Sequence, residues 1–232
     1  MRLVRIIEMR RHLIFMLMKR KFPLARLVWL FLAILAAAFF GFGHPVHAAV
    51  VINEIMYLPA SLKVDEEFVE LYNSGPAEVD LSGWQFVDGI DYTFPPGSRL
   101  GAGGYLIVAA RPDYYRALDP ALDVLGPYTG VLSNDGENVA LAGPDGAEAD
   151  HVEYEDEQGW PPEADGQGPS LERRHADMPS SQPATWKPGP TGGTPGRANA
   201  NALPRPLPVV TNARHDPPVP APDHPVWIRC RV

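Results

Sequence analysis

The chain has little of two residue classes that many functions require. It contains one cysteine, Cys230, among 232 residues, which excludes an internal disulfide framework and any metal site built from several thiolates. The first 48 residues hold eight of the 20 basic side chains and one of the 28 acidic ones. The remaining 184 therefore hold 12 basic and 27 acidic residues, a balance of −15. Because binding to phosphates requires clustered Lys and Arg, we predict no nucleic-acid partner.

Patterns for nucleophilic or phosphate chemistry are also missing. No Gly-x-Ser-x-Gly elbow occurs. Cys230 lies two residues from the C-terminus beside Arg229 and Arg231, where an unpaired or buried thiol is expected rather than a nucleophile. The glycine-rich stretch 101–104 precedes a strand and so lacks the helix N-terminus of a phosphate site. We predict no catalytic residue, no cofactor-binding residue and no enzyme activity.

Acidic and histidine side chains are the remaining candidates for a metal site. The acids could supply the oxygen ligands that Ca²⁺ prefers, but they lack the spacing of a calcium loop, so we interpret them as solvated loops and keep Ca²⁺ only as an alternative. A metallohydrolase would need three histidines to converge, and surface positions are expected instead. We predict no metal ligand and no cofactor. The residues considered are Asp65, Glu66, Glu67, Glu70, Asp150, Glu153, Glu155, Asp156, Glu157, His151, His175, His215 and His224.

The N-terminus has the pattern of an export signal. Basic residues 19–26 precede an uncharged apolar run at 27–42, and Val46-His47-Ala48 offers small residues at the −3 and −1 positions of a cleavage site. The 16 apolar residues are short for a membrane span, which needs roughly 20. Residues 1–48 are therefore predicted to be a cleaved signal peptide, with an uncleaved anchor as the alternative. Both place the body outside the cytoplasm, secreted or at the cell surface, with membrane contact only through an uncleaved segment.

Beyond residue 49 the apolar residues form short runs broken by turns. With 45% hydrophobic residues the chain can bury one core. Runs of five to eight residues separated by Gly, Pro and Asp-Gly predict an all-β fold, an antiparallel β-sandwich. Only residues 112–125 resemble a helix, and Pro120 limits it to a turn or two. The predicted strands are 50–57, 68–73, 84–87, 92–94, 105–109, 138–142, 149–154 and a late strand, 170–174, whose arginines cap or pair.

Eight short phrases follow one another over about residues 50–199. They are Ile52–Ile55, Phe68–Asn73, Val79–Trp84, Phe94–Gly97, Leu100–Tyr105, Leu132–Glu137, Asp165–Arg173 and Gly193–Asn199. Their order resembles the lamin tail domain, an immunoglobulin-like sandwich found in nuclear lamins and in exported bacterial proteins. Because the chain lacks a coiled-coil rod and carries an export signal, the resemblance points to the exported bacterial type. It implies a non-catalytic module that attaches to partners.

Several individual roles are predicted within this region. Asn53 is expected to bridge backbone groups where the first strand meets a loop, because its amide both donates and accepts. The turn Ser82-Gly83-Trp84 is expected to deliver a large ring into the core, and Asn134-Asp135-Gly136 suits positive φ at a hairpin tip. Trp160 and Trp186 are expected to pack the tail onto the sandwich. The alternative is that they line a glycan-binding face with Tyr114, Tyr115 and Tyr128.

The composition changes after the predicted hairpin. Sixteen of the 26 prolines follow Glu157. We predict a lamin tail-like sandwich at 49–175, a Pro/Gly-rich wrapping segment or linker rather than sheet at 176–206, and the start of a truncated second β domain at 207–232.

The expected function is that of an exported binding or scaffolding module of the cell envelope. It would contact protein or polysaccharide through loops and sheet edges. The alternative is an N-terminal accessory module of a larger secreted hydrolase, of the nuclease or phosphoesterase type, with its catalytic domain downstream. The sequence leaves the ligand and the oligomeric state open.

Overall fold

The computed structural model describes residues 50–208, 211–216 and 227–231. The predicted signal peptide or anchor, residues 1–48, lies outside the described residues, as do His224 and the side chains of His215 and Cys230. Within the described part of the chain, no helix is long and apolar enough to cross a membrane.

The described residues form fourteen strands, one α-helix and three short 3-10 helices. The strands are β1 Val50–Met56, β2 Phe68–Asn73, β3 Val79–Asp80, β4 Gln85–Asp88, β5 Tyr92–Thr93, β6 Arg99–Leu100, β7 Tyr105–Ala109, β8 Val124–Leu125, β9 Glu137–Ala142, β10 Glu148–Tyr154, β11 Pro169–Arg173, β12 Trp186–Thr191, β13 Thr211–Asp216 and β14 Trp227–Arg231. Helix α1 is Pro112–Leu118, and the 3-10 helices are Val64–Glu66, Pro162–Ala164 and Pro183–Thr185.

Two sheets make up the sandwich. The larger sheet has the order β12-β11-β1-β2-β7-β8, and the smaller has the order β10-β9-β4-β5. Their pairings are antiparallel except for the short β7–β8 pair. The predicted all-β sandwich is confirmed, and α1 ends before Pro120 as the sequence indicates.

Strand alternation, adjusted by a β-bulge, decides which side chains enter the core. On β2, Val69 and Leu71 pack into the main core between the sheets, while Phe68 packs in a smaller cluster beside Tyr115 of α1. On β1 the register shifts between Ile52 and Glu54, so Ile52 and Ile55 both reach the main core although they are three residues apart. The bulge leaves Asn53 and Glu54 together outside that core.

The region 176–206 corrects one prediction. It was expected to contain no sheet, but β12 pairs with β11 along Arg173↔Trp186 and Leu171↔Pro188. The prediction was wrong because it took the prolines of this region to exclude a strand. They are tolerated here because β12 is the edge strand of the larger sheet. The described part of residues 207–232, predicted to begin a second β domain, contains β13 and β14, which pair antiparallel.

The positions of Trp160 and Trp186 agree with the prediction, whereas the position of Trp84 does not. Trp186 and Trp160 are buried in the main core with ring centroids 6.1 Å apart, as expected for residues that pack the tail onto the sandwich. Tyr115 and Tyr128 are also buried, so these aromatics do not form an exposed glycan-binding face. Trp84, expected in the core, is only half-buried and packs against the margin of the main core.

Candidate functional site

Three glutamates lie side by side on the outer face of the larger sheet. Glu54 of β1 pairs with Glu70 of β2 and with Glu172 of β11 in the strand register. All three are 0% exposed. Buried carboxylates are costly unless they are hydrogen-bonded or paired, so the groups around them define a built site.

The cover over these glutamates is residues 192–201, here called the strap. It gives one backbone N–H to each carboxylate: Thr194 N to Glu54 Oε1 at 2.8 Å, Gly196 N to Glu70 Oε2 at 2.6 Å, and Asn201 N to Glu172 Oε2 at 3.2 Å. Backbone donors in a loop over a sheet need buried acceptors, and the carboxylates supply them. The strap is therefore attached to the sheet by hydrogen bonds to carboxyl groups, each of which is either charged or protonated.

Asn53 and Asn199 connect the strap to the sheet a second time. Asn53 Nδ2 donates to Glu70 Oε1 and to Asn199 Oδ1, both at 2.9 Å. Asn199 Nδ2 donates to the backbone oxygens of Asn53 at 3.0 Å and Arg173 at 2.8 Å. Asn53 was expected to bridge backbone groups beside a loop; at the bulge it bridges mainly to side chains.

The hydroxyl of Thr194 lies between two of the buried carboxyl groups. Its oxygen lies 2.7 Å from Glu172 Oε1 and 3.1 Å from Glu54 Oε2, but a hydroxyl has only one hydrogen to donate. Both contacts are satisfied when one of the two acids is protonated; with the proton on Glu54, Glu54 Oε2 donates to Thr194 and Thr194 donates to Glu172. Glu54 Oε1 keeps its role as an acceptor from Ser170 Oγ at 2.6 Å.

Electrostatics favour the same assignment. Burial raises the pKa of Glu54 to about 7, and the nearby Glu172 carboxylate raises it further, against the lowering effect of hydrogen bonds from Ser170 and Thr194. Burial, followed by the charge of Glu54, also raises the pKa of Glu70 well above its ordinary value. Glu54 is thus poised to share a proton with its neighbours near neutral pH.

This proton position predicts that two similar substitutions differ in effect. Glu54→Gln should not lower the free energy of unfolding at pH 7, because its amide can donate to Thr194 as the protonated acid does. Glu172→Gln should cost about 1–3 kcal/mol, because Glu172 faces only donors, Thr194 Oγ1 and the two nitrogens of Asn201. Urea unfolding of both variants measures the difference, and equal losses would exclude a proton on Glu54.

A pH dependence of stability follows from the raised pKa of Glu54. Between its unfolded value of 4.5 and its folded value of about 7, the folded chain binds more protons than the unfolded chain, so stability falls as pH rises through this window. The loss attributable to Glu54 is roughly 3 kcal/mol. Unfolding free energies of the wild type and Glu54→Gln from pH 4 to 8 should diverge over this range. Parallel curves would contradict the assignment.

A second buried acid is compensated differently. Arg173 Nη1 donates to Asp150 Oδ2 at 2.5 Å and to the Ile52 carbonyl at 3.2 Å, and Ile52 N donates to the same carboxylate oxygen. The side chains of Arg173 and Asp150 are only 4% and 10% exposed. The prediction that the late strand's arginines cap or pair is confirmed for Arg173, which joins β11 and β10 across the edge of β1.

A pocket of about 260 Å³ opens beside the end of the strap. Tyr72 and Tyr105 form one wall, with stacked rings whose centroids lie 4.8 Å apart. Arg174, His175 and Asp177, from the loop after β11, form another. Burial raises the pKa of Tyr105 to about 12, so its phenol is neutral in this wall.

The acids that the sequence suggested as metal ligands are dispersed. Asp65 pairs with Arg111, while Glu67 accepts hydrogen bonds from Tyr128 Oη and Leu132 N. The expectation of solvated loops is wrong for Glu67 and Glu70, which are buried. Among the residues that the structure describes, no group of three or more His, Cys, Asp or Glu side chains is arranged to hold a metal ion.

The histidines with described side chains also lie apart from one another. His151 contacts Glu148 at 2.7 Å on β10, and His175 lies 3.8 Å from Asp177 in the loop after β11. Sequence reasoning did not identify the buried trio Glu54, Glu70 and Glu172. The available signal was a glutamate within an otherwise apolar strand, as in Phe68-Val69-Glu70-Leu71.

Comparison with known families supports the resemblance. The Lamin Tail Domain family model matches residues 44–156, just under half of the chain. The match covers β1 to β10, whereas β11, β12 and the strap follow it. No curated protein matches the sequence.

Proposed function

We propose that the chain is an exported, non-catalytic binding or scaffolding module of the cell envelope, which contacts protein or polysaccharide. The matched Lamin Tail Domain supports the binding role, because it is a β-sandwich of the protein-interaction kind. The basic and apolar N-terminal pattern supports export to the cell surface or medium. The proposed role requires no catalytic residue, metal or cofactor.

The observation that carries the proposal is the loop between β1 and β2. Its apolar residues Leu62 and Val64 are 68% and 49% exposed. Leu62 has φ of 58°, in the left-handed region that bulky residues rarely adopt. A strained, exposed leucine costs stability without filling the core, which is typical of a residue retained for contact with a partner.

The loop is held firmly in position. Leu62 N donates to Pro59 O at 2.8 Å, and Gly166 N donates to Leu58 O at 3.2 Å. Asp65, which follows the exposed pair, contacts Arg111 at 2.5 Å, but this ion pair is half exposed and adds little to these backbone hydrogen bonds. A preformed apolar tip loses little conformational entropy on binding, which favours its use as a contact.

The test is capture of envelope components by the immobilised full-length chain. The double variant Leu62→Asn with Val64→Ser should reduce capture at least fivefold, because it removes the exposed apolar pair. Asn tolerates the left-handed conformation, so Leu62→Asn alone should leave the thermal midpoint unchanged or higher. Loss of capture would then reflect lost contact rather than misfolding.

The matched control is Val131→Asn, which removes another exposed apolar side chain, 54% exposed, from a different loop. It should capture as the wild type does. Equal capture by the wild type and the double variant would contradict the proposed role of this loop, and hydrolysis of the captured material would contradict a non-catalytic module.

A further inference from the structure

The strap covers three buried carboxyl groups, here called the trio, that no cation balances. Among the described residues, no ion pair includes Glu54, Glu70 or Glu172. We propose that the strap opens locally as the pH rises and the trio loses its protons, while the sandwich beneath it stays folded. This conformational change is independent of the proposed binding function.

The strand register brings the three carboxyl groups too close for all of them to be charged. Glu54 lies opposite Glu70 on one side and opposite Glu172 on the other, and such pairs have Cβ atoms about 4.5–5.5 Å apart. Thr194 Oγ1 lies between Glu54 and Glu172, but its single hydrogen can serve only one of them. Like charges at this spacing and away from water are unfavourable, so the closed strap requires protons in the trio.

Hydrogen bonds from the strap favour the charged form of the trio but do not outweigh burial. Each carboxyl group receives one backbone N–H from the strap, whereas carboxylates with strongly lowered pKa values accept about two or three. Burial is the largest influence on the pKa of Glu54, raised to about 7, and on the pKa of Glu70, raised well above its ordinary value. Once these protons are lost, opening the strap lets water reach the carboxylates.

The strap contributes no large apolar side chain to the sandwich. Its sequence is GGTPGRANAN, and none of its residues belongs to either core cluster. Its buried side chains are those of Thr194 and Asn199, which are both polar. Segments that bury little apolar surface open at a lower free energy than the whole domain unfolds. The core therefore does not have to break when the strap opens.

Both ends of the strap are fixed by bonds that do not titrate. Gly192 N donates to Gly168 O at 2.9 Å where the strap begins. Just after it ends, Leu203 N donates to Arg174 O at 2.7 Å. Opening therefore moves a loop between two fixed ends and leaves the rest of the chain in place.

The tyrosines near the trio do not change charge around neutral pH. Burial, with a smaller effect from the charge of Glu54, raises the pKa of Tyr115 in α1 far above neutral pH. Burial, with a smaller effect from the charge of Glu70, raises the pKa of Tyr105 in β7 to about 12. Both phenols are neutral while the trio titrates.

The cations on the neighbouring elements also leave the trio unbalanced. Lys187 of β12 lies opposite Glu172 in the strand register, but it is exposed and pairs with no acid in the described part of the chain. Arg197 on the strap is exposed as well. The described histidines, His151 and His175, contact acids outside the trio. Protons in the trio therefore determine its charge.

The experiment measures amide hydrogen exchange of the full-length chain by NMR at pH 5 and pH 8, corrected for the intrinsic exchange rate at each pH. The reporters are the strap amides of Thr194 and Gly196 and the amide of Val108, which is buried in the main core. Because the closed state binds more protons than the open state in this range, protection of the strap amides should fall at least about tenfold from pH 5 to pH 8.

Urea distinguishes local opening from unfolding of the whole domain. Low urea concentrations should accelerate the exchange of Val108, because global unfolding exposes much surface. The strap amides should exchange faster than Val108 at both pH values and should respond little to urea, because local opening exposes little surface.

Three variants identify the controlling groups. Glu54→Gln removes one titrating group and should at least halve the fall in strap protection on a logarithmic scale. Asn199→Ala removes donors to the Asn53 and Arg173 carbonyls, so it should lower strap protection by a similar factor at both pH values. Glu78→Gln is the matched control: this acid is 52% exposed and lies outside the trio, so its replacement should change nothing at the strap.

The wild-type measurement alone can overturn the proposal. Strap protection equal to that of Val108 at both pH values would show that the strap opens only when the domain unfolds. Strap protection that is constant or rises from pH 5 to pH 8 would show that loss of protons does not open it. An equal fall in the wild type and in Glu54→Gln would place the controlling group outside the trio.

Discussion

Replacing Gly193 with alanine is expected to destabilise the domain by about 3–5 kcal/mol and to detach the strap. Gly193 has φ of +74°, which L side chains rarely adopt, and an added Cβ would lie 2.1 Å from Glu54 Oε1 and 3.0 Å from Ser170 Oγ. Because Glu54 is buried and held by Ser170 and Thr194, it cannot move aside without breaking those bonds. Backbone strain, overpacking and lost hydrogen bonds therefore add together.

The neighbouring residue Gly192 allows backbone strain to be measured without the overpacking and the lost hydrogen bonds. Gly192 has a similar φ of +82°, but an added Cβ there meets nothing within 4 Å. Gly192→Ala should therefore cost only the backbone term, about 1–2 kcal/mol. Urea unfolding of both variants measures the difference. Equal losses would show that closeness to Glu54 does not determine the requirement for glycine.

Removing the buried Arg173 cation is expected to be about as severe. Arg173→Gln should cost about 3–5 kcal/mol, because it leaves the Asp150 carboxylate buried without its cation. It also removes donors to the Ala176 and Met178 carbonyls, at 3.0 and 2.8 Å, which hold the loop after β11. Chemical denaturation at pH 7 measures the loss, and both β10 and this loop should lose hydrogen-exchange protection.

An exposed ion pair provides the control for Arg173. Arg99 pairs with Glu78 at 2.8 Å, with side chains 57% and 52% exposed. Solvent screens such pairs, so Arg99→Gln should leave the denaturation midpoint nearly unchanged. A loss for Arg173→Gln as small as that for Arg99→Gln would contradict a structural role of the buried pair.

The sheet strands were predictable because their apolar periodicity is local. Val69 and Leu71 alternate with outward residues, and Val152 and Tyr154 do the same in the hairpin β9–β10, so each strand could be located from its own residues. Helix α1 was equally local, since Pro120 limits it. The pairing of Arg173 followed from its place on a late strand.

The strap and its glutamates depend on contacts between distant parts of the sequence. Glu54 and Thr194 are 140 residues apart, and Glu70 and Gly196 are 126 apart. An isolated glutamate in a strand normally indicates a solvated face, whereas here the strap covers all three. The edge strand β12 was missed for a related reason, because Pro188 argues against a strand until its place at the sheet edge is known.

The structure explains the last of the eight sequence phrases, Gly193–Asn199. Gly193–Asn199 supplies the glycine at Glu54, the hydroxyl of Thr194 and the amide of Asn199, all within one turn of chain over the sheet. Gly196 packs against Leu122, which follows α1, so the strap also meets the small cluster under that helix. The strap thereby covers the three glutamates and also contacts the small cluster beside that helix.

The most direct test of the strap's attachment is the titration of Glu54 itself. The carboxyl carbon resonance of Glu54, assigned by its absence in Glu54→Gln, should titrate near pH 7 in the folded chain. The Thr194 amide, which donates to this carboxyl group, should shift with the same midpoint. A Glu54 resonance that titrates at or below the ordinary value of 4.5 would show that the carboxylate is charged beneath the strap, and would contradict the shared proton.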